Sequence, residues 1–131
     1  MDIRYLDLED LEALHDQALE DYGGIPGRPE HKLEGILEMP KAGFLDYEKY
    51  PSIIEKAAVY LYYLASGHAF SDGNKRTSYA ATFVFLDLNG YDLEATDDEI
   101  YDFVLSIANS ETRPSFEVAV QWIERHITIQ Q

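Results

Sequence analysis

His68-Ala69-Phe70-Ser71-Asp72-Gly73-Asn74-Lys75-Arg76 packs an imidazole, a carboxylate, a carboxamide and two cations into nine residues. It lies between two strongly apolar segments, residues 53–65 and 79–88. Two buried helices joined by a chemically dense loop make a stiff support for a site. The residues on either side read as scaffold for that loop.

The upstream segment carries Ile53, Ile54, Ala57, Ala58, Leu61, Leu64 and Ala65 on one wide face, broadened by Tyr60, Tyr62 and Tyr63. This is the pattern of a largely buried helix opened by Pro51-Ser52, with Gly67 placed to stop it. The downstream segment predicts a helix over 74–88 with few polar positions, read as the core helix and ended by Asn89-Gly90. Further upstream, Leu8, Leu11, Leu14, Ala18 and Leu19 recur at helical spacing after a capping Asp7, and Gly23-Gly24-Ile25-Pro26-Gly27 stops that run in a tight connection. A short helix is predicted over 29–39, ended by Pro40, then a loop or small hairpin over 41–50. Thr96-Asp97-Asp98-Glu99 is a capping box that opens a helix through Ala108. Pro114 suits the first turn of a sixth helix. The expected fold is all-α: one compact domain, 1–131, of about six helices, with the dense loop between the two central ones.

The 131-residue chain has no cysteine, which suits a reducing compartment, and no apolar run near the roughly 18 residues needed to span a bilayer. Its N-terminus lacks the apolar run of a signal peptide. A soluble, cytoplasmic protein is expected. Acids outnumber bases 25 to 10, for a formal charge of −15. Nucleic-acid binders cluster Lys and Arg to replace counterions on phosphate, so direct binding of DNA or RNA is not expected. The acids gather within 2–21 and 92–102, where they serve solubility and helix N-termini or form a docking face for a basic partner.

Within the loop each group has a chemical reason. The first four backbone N–H groups of a helix lack internal partners and sit at its positive end, so the start of the helix at Asp72-Gly73-Asn74 is a ready anion pocket. Gly73 lets a phosphate approach the backbone. Lys75 and Arg76 oppose the helix dipole, which suggests that they answer to an anion; Arg76 offers a planar fork and Lys75 a point charge. Asp72 is the loop's acid and can hold Mg2+ against a nucleotide phosphate. His68, with an ordinary pKa of about 6.5, can take a proton at neutral pH. Phe70 reads as an anchor. Plainer readings exist for each: Ser71 or Asp72 as the helix cap, His68 as a cap of the preceding helix, Lys75 and Arg76 as solvated charges. A simple helix–loop–helix, however, needs no such collection.

His-x-Phe-x-Asp-Gly-Asn-Lys-Arg resembles the signature of the Fic/Doc superfamily. Gly23-Gly24-Ile25-Pro26-Gly27, Glu55-Lys56-Ala57-Ala58 and Phe85-Leu86-x-Leu88-Asn89-Gly90 resemble its death-on-curing (Doc) branch. The resemblance implies transfer of a phosphate-containing group from ATP, with Mg2+, to a protein hydroxyl. By residue it implies His68 as general base, Asp72 as the Mg2+ ligand, Gly73, Asn74, Lys75 and Arg76 as the anion site, Phe70 as anchor, and 41–50 as a flap that orients the target. Adenylylating members usually carry Gly where this chain has Lys75 and a second Arg where it has Tyr79. Lys75 is typical of the Doc branch, which implies a kinase toxin acting on a threonine of elongation factor Tu and arresting translation. The family's self-inhibitory pattern, Ser or Thr followed four residues later by Glu-Gly or Glu-Asn, is absent, so control falls to a Phd-type antitoxin. Two rival readings stand beside this one: an adenylyltransferase of the same fold, and a non-catalytic module that binds a partner through its acidic faces.

Overall fold

The computed structural model describes residues 2–29 and 31–131 of the chain. Three of its helices begin where side chains take up orphan amides. Asp7 and Asp10 cap each other's backbone at 2.9 and 3.0 Å and open α1, Leu8–Tyr22. Ser52 accepts the Glu55 amide at 3.0 Å and opens α3, Ile53–Ser66. Thr96 and Glu99 form the expected reciprocal box at the start of α5, Asp97–Ala108. Each such cap is worth about 1 kcal/mol. Helices α2, Lys32–Glu38, α4, Asn74–Leu88, and α6, Phe116–His126, complete the six expected.

α3 is the centre, packed against α2, α4, α5 and α6. Its Ala57, Ala58, Tyr60, Leu61 and Leu64 are buried with Phe85 and Leu86 of α4, Ile107 of α5 and Ile123 of α6. Complete burial of a side chain such as Phe85 stabilises by about 1.5–3 kcal/mol. The role of core helix therefore belongs to α3 rather than α4. α4 leaves Phe83 and Leu88 exposed and turns Thr77, Ser78 and Thr82 inward.

Other differences are local. α2 begins at Lys32 after a left-handed His31, later than the 29–39 range, within which Glu30 lies outside the described residues. Pro40 does not end the chain's turning. It sits inside a 3-10 turn, Met39–Lys41, that continues α2. Pro114 precedes the cap of α6, Ser115, and so stands outside the helix. Residues 41–50 do form a hairpin, β1 (Gly43–Phe44) against β2 (Tyr47–Glu48). A second antiparallel pair, β3 (Tyr91–Leu93) with β4 (Ile127–Ile129), was not anticipated. It joins the chain after α4 to the segment after α6, with Leu93 opposite Ile127.

Two buried polar groups fasten the scaffold around the loop. The Lys56 ammonium is fully buried beneath the hairpin and donates to the Pro40 carbonyl at 2.9 Å and to Glu48 at 3.3 Å. Asn89, at the end of α4, accepts the Arg4 amide at 3.0 Å and donates to the Arg4 and Phe85 carbonyls at 2.9 and 2.8 Å. Removing such a side chain strands buried backbone groups. Asn89→Ala is expected to lower the unfolding free energy by about 1–3 kcal/mol in urea denaturation. Local changes near Gly90, remote from the loop, should accompany it.

Candidate functional site

The loop is built from its two ends inward. α3 closes at Gly67, whose amide donates to Tyr63, yet Gly67 keeps a right-handed backbone. The left-handed turn falls instead on His68, with φ 51°. A non-glycine residue there is uncommon and carries strain of a kind that gathers at functional sites. The turn leaves His68 exposed, and among the described residues no hydrogen bond holds its ring. It does not cap α3. Ala69 and Phe70 then plunge into the core, at 0 and 3% exposure, so Phe70 anchors the loop as expected.

Asn74 fixes the loop's width. Its Oδ1 accepts the Phe70 amide and its Nδ2 donates to the Phe70 carbonyl, both at 2.9 Å. The side chain is thereby a clamp and leaves the backbone amides at the helix start without a side-chain cap. The cap of α4 is Gly73, not Ser71 or Asp72. It lies in the left-handed region, φ 77°, and no side chain accepts from the helix start. Lys75 and Arg76 follow at once, both exposed, and neither forms an ion pair among the described residues. The Arg76 guanidinium lies over the Tyr22 ring at 3.3 Å, which fixes its position without neutralising it.

His68, Asp72, Gly73, Asn74, Lys75 and Arg76 all line one cleft of about 500 Å³. A second cleft of about 440 Å³ adjoins it across Tyr22, Lys75 and Arg76 and is lined further by Tyr79, Asp97, Asp98 and Tyr101. Tyr79, where burial and the nearby Asp97 charge push the phenol up, belongs only to the second.

Asp72 faces the glycine run after α1. Its Oδ2 accepts the Ile25 amide at 3.1 Å and its Oδ1 the Gly73 amide at 2.9 Å. The Ser71 amide donates to the Gly27 carbonyl at 3.0 Å, so residues 23–27 are strapped to the loop. A Cβ on Gly24 would meet Asp72 Oδ2 at 2.9 Å and Leu19 at 2.8 Å, which requires glycine there. The Ile25 amide first, then the Gly73 amide and the Lys75 charge, hold the Asp72 carboxyl below the usual carboxylate range. It is ionised at neutral pH, and each oxygen keeps a lone pair beyond its amide. That suits Mg2+, which takes one or two carboxylates and completes its shell with phosphate oxygens and water. Among the described residues no cluster of three or more His, Asp or Glu side chains offers a self-sufficient metal cage.

One residue of the site escaped the sequence reading. His15 of α1 is buried under the loop, its ring stacked on Phe70 at 3.8 Å and its Nε2 2.7 Å from the Asp72 carbonyl. The signal was present: His15 lies four residues after Leu11 on the apolar face of α1, where a histidine needs a partner.

One cleft of this helical scaffold joins a helix start without a side-chain cap to two cations, a carboxylate and an imidazole. The chain belongs to the Fic/DOC family, which matches residues 5–86. Within the family it stands with the Doc branch. It is 34% identical over 110 residues to "Protein kinase doc" of Escherichia phage P1, covering 83% of this chain and 86% of that protein. It is 39% identical over 95 residues to "Toxin Doc" of Mycolicibacterium smegmatis, covering 72% and 71%. No helix among the described residues is long and apolar enough to cross a membrane.

The Asp72–Ile25 bond carries a pH dependence. A carboxyl held low in the folded chain contributes its stability above its ordinary value and loses it as pH falls through the depressed one. In an NMR titration the Asp72 carboxyl carbon and the Ile25 amide should therefore shift together, at a pH below that of an ordinary aspartate. Independent midpoints would contradict the strap's attachment.

Proposed function

We propose that this chain is the toxin of a toxin–antitoxin pair, a nucleotide-dependent transferase that moves the terminal phosphate of ATP to a threonine hydroxyl of a translation factor of the elongation factor Tu kind. The names of the two relatives support the toxin and kinase parts of this reading. The observation that carries it is the uncapped, left-handed start of α4 in one cleft with His68, Lys75 and Arg76.

The phosphate chain lies against the amides at the start of α4, with Lys75 and Arg76 taking its charge. Asp72 would hold Mg2+, which would supply positive charge against the transferring group. His68 accepts the proton of the target hydroxyl as that oxygen bonds to the terminal phosphorus. The bond from that phosphorus to the bridging oxygen breaks, and ADP carries away the electron pair. The free His68 ring and the clamped loop favour this step, because positioning and fixed charge do most of the work in phosphoryl transfer.

Tyr79 and Lys75 support terminal-phosphate transfer over AMP transfer. The cleft containing Tyr79, Tyr101 and the two acids accepts an aromatic base with amino groups, and it meets the phosphate cleft at Arg76 rather than at His68. A nucleotide with its base there extends its terminal phosphate toward His68. The hairpin β1–β2, anchored by Lys56, presents exposed Phe44, Leu45 and Tyr47 and orients the target segment. Control comes from an antitoxin of the Phd type, and the protein acts in the cytoplasm.

Incubation with labelled ATP and elongation factor Tu tests the reading. Label from the γ position should appear in the target, and His68→Ala should slow its transfer about 10²–10⁴-fold. Label from the α position would make the protein an adenylyltransferase. Growth arrest undiminished by His68→Ala would leave a partner-binding module.

A further inference from the structure

We infer that His15 is a positioning residue for the phosphate site, holding the Asp72–Gly73 peptide in the orientation that the carboxylate and the helix start require. This rests on the transferase reading above for its nucleotide ligand and its kinetic readout. His15 is 4% exposed and touches the loop in two independent ways. Its ring stacks on Phe70, centroid to centroid at 3.8 Å and within 10° of parallel. Its Nε2 lies 2.7 Å from the Asp72 carbonyl oxygen. A carbonyl only accepts, so the proton sits on Nε2.

That bond acts through a planar unit. The Asp72 carbonyl and the Gly73 N–H belong to one trans peptide and point in opposite directions. Fixing the carbonyl on His15 therefore aims the Gly73 N–H, which donates to Asp72 Oδ1 at 2.9 Å. The carboxylate is thus oriented by a peptide that His15 orients. The same peptide leads into the left-handed Gly73 and the first outward amides of α4. A Cβ on Gly73 would lie 3.4 Å from His15 Cδ2, so the ring also closes the underside of the turn. A residue that merely filled this space would need no donor; phenylalanine would stack as well. His15 spends its buried N–H on the loop's backbone instead.

Two variants separate the ring from the donor. His15→Phe keeps the stack and removes the N–H. His15→Gln keeps a donor of similar reach and removes the ring. Thermal melting, Mg2+-dependent ATP binding by calorimetry, and kcat with KM for ATP are measured on each folded protein. Loss of an outer partner of a binding group typically costs about 10–100-fold. His15→Phe should lose that much in Mg2+-dependent ATP affinity and in kcat while melting near wild type. His15→Gln should melt lower yet keep most of both. The order of stability and the order of activity then run opposite ways. If affinity and kcat instead follow the melting temperatures, or His15→Phe matches wild type, the inference is overturned. Should His15→Phe not fold, His15→Gln decides: near-wild-type affinity per folded molecule supports it, and a tenfold loss overturns it. If wild type binds Mg2+ and ATP but transfers nothing, the proposed reaction fails and the affinity comparison still decides the role of His15.

Discussion

Two hydrogen bonds between the Asn74 side chain and the backbone of Phe70 set the shape of the loop on which the rest depends. They close residues 70–74 into a fixed turn between α3 and α4. Phe70 ties the turn to the core, and α4 must then start at Gly73 with its amides outward. A carboxamide suits this task because it donates and accepts at once and carries no charge toward a bound anion. The loop needs no side-chain cap because its open amides are the product of the arrangement. α1 supports it from beneath through His15, and the strap that follows α1 supports it from the side through Gly24, Ile25 and Gly27.

Charge is distributed to match. The chain carries a large acidic excess, yet among the described residues Lys75 and Arg76 form no ion pair and the one acid in the loop accepts from backbone amides. Amides lower the Asp72 carboxyl without neutralising it. Tyr22 holds Arg76 by its ring face, an arrangement that leaves the guanidinium edge available for oxygen acceptors. The result is a cleft in which Asp72, Asn74 and Arg76 are held in place by the fold. Preorganisation of this sort reduces the cost of ordering charged groups at the moment of reaction.

What could be read in advance was local. The caps at Asp7, Ser52 and Thr96 act within three residues, so spacing alone announces them. The loop's six chemical residues are contiguous enough that the structure brings all of them to one cleft. What escaped was set by distant neighbours. β3 and β4 are three residues each and find each other across more than thirty residues, too short for alternation to mark them. Phe83 and Leu88 are apolar but fall on the outer side of α4, a fact decided by where α3 lies. The left-handed turn lands on His68 rather than Gly67, because glycine's freedom does not oblige its use. His15, Lys56 and Asn89 are buried polar residues whose partners lie in other elements, and no one-dimensional pattern names a partner.

The central claim is that the start of α4 grips a nucleotide's phosphates with the terminal one toward His68. A crystal structure with Mg2+ and a non-hydrolysable ATP analogue tests it most directly. The account predicts phosphate oxygens on the amides of Asn74, Lys75 and Arg76, the base between Tyr79 and Tyr101, and the terminal phosphorus nearest the His68 ring. An analogue bound elsewhere, or one that sets its α-phosphorus against His68, would contradict it.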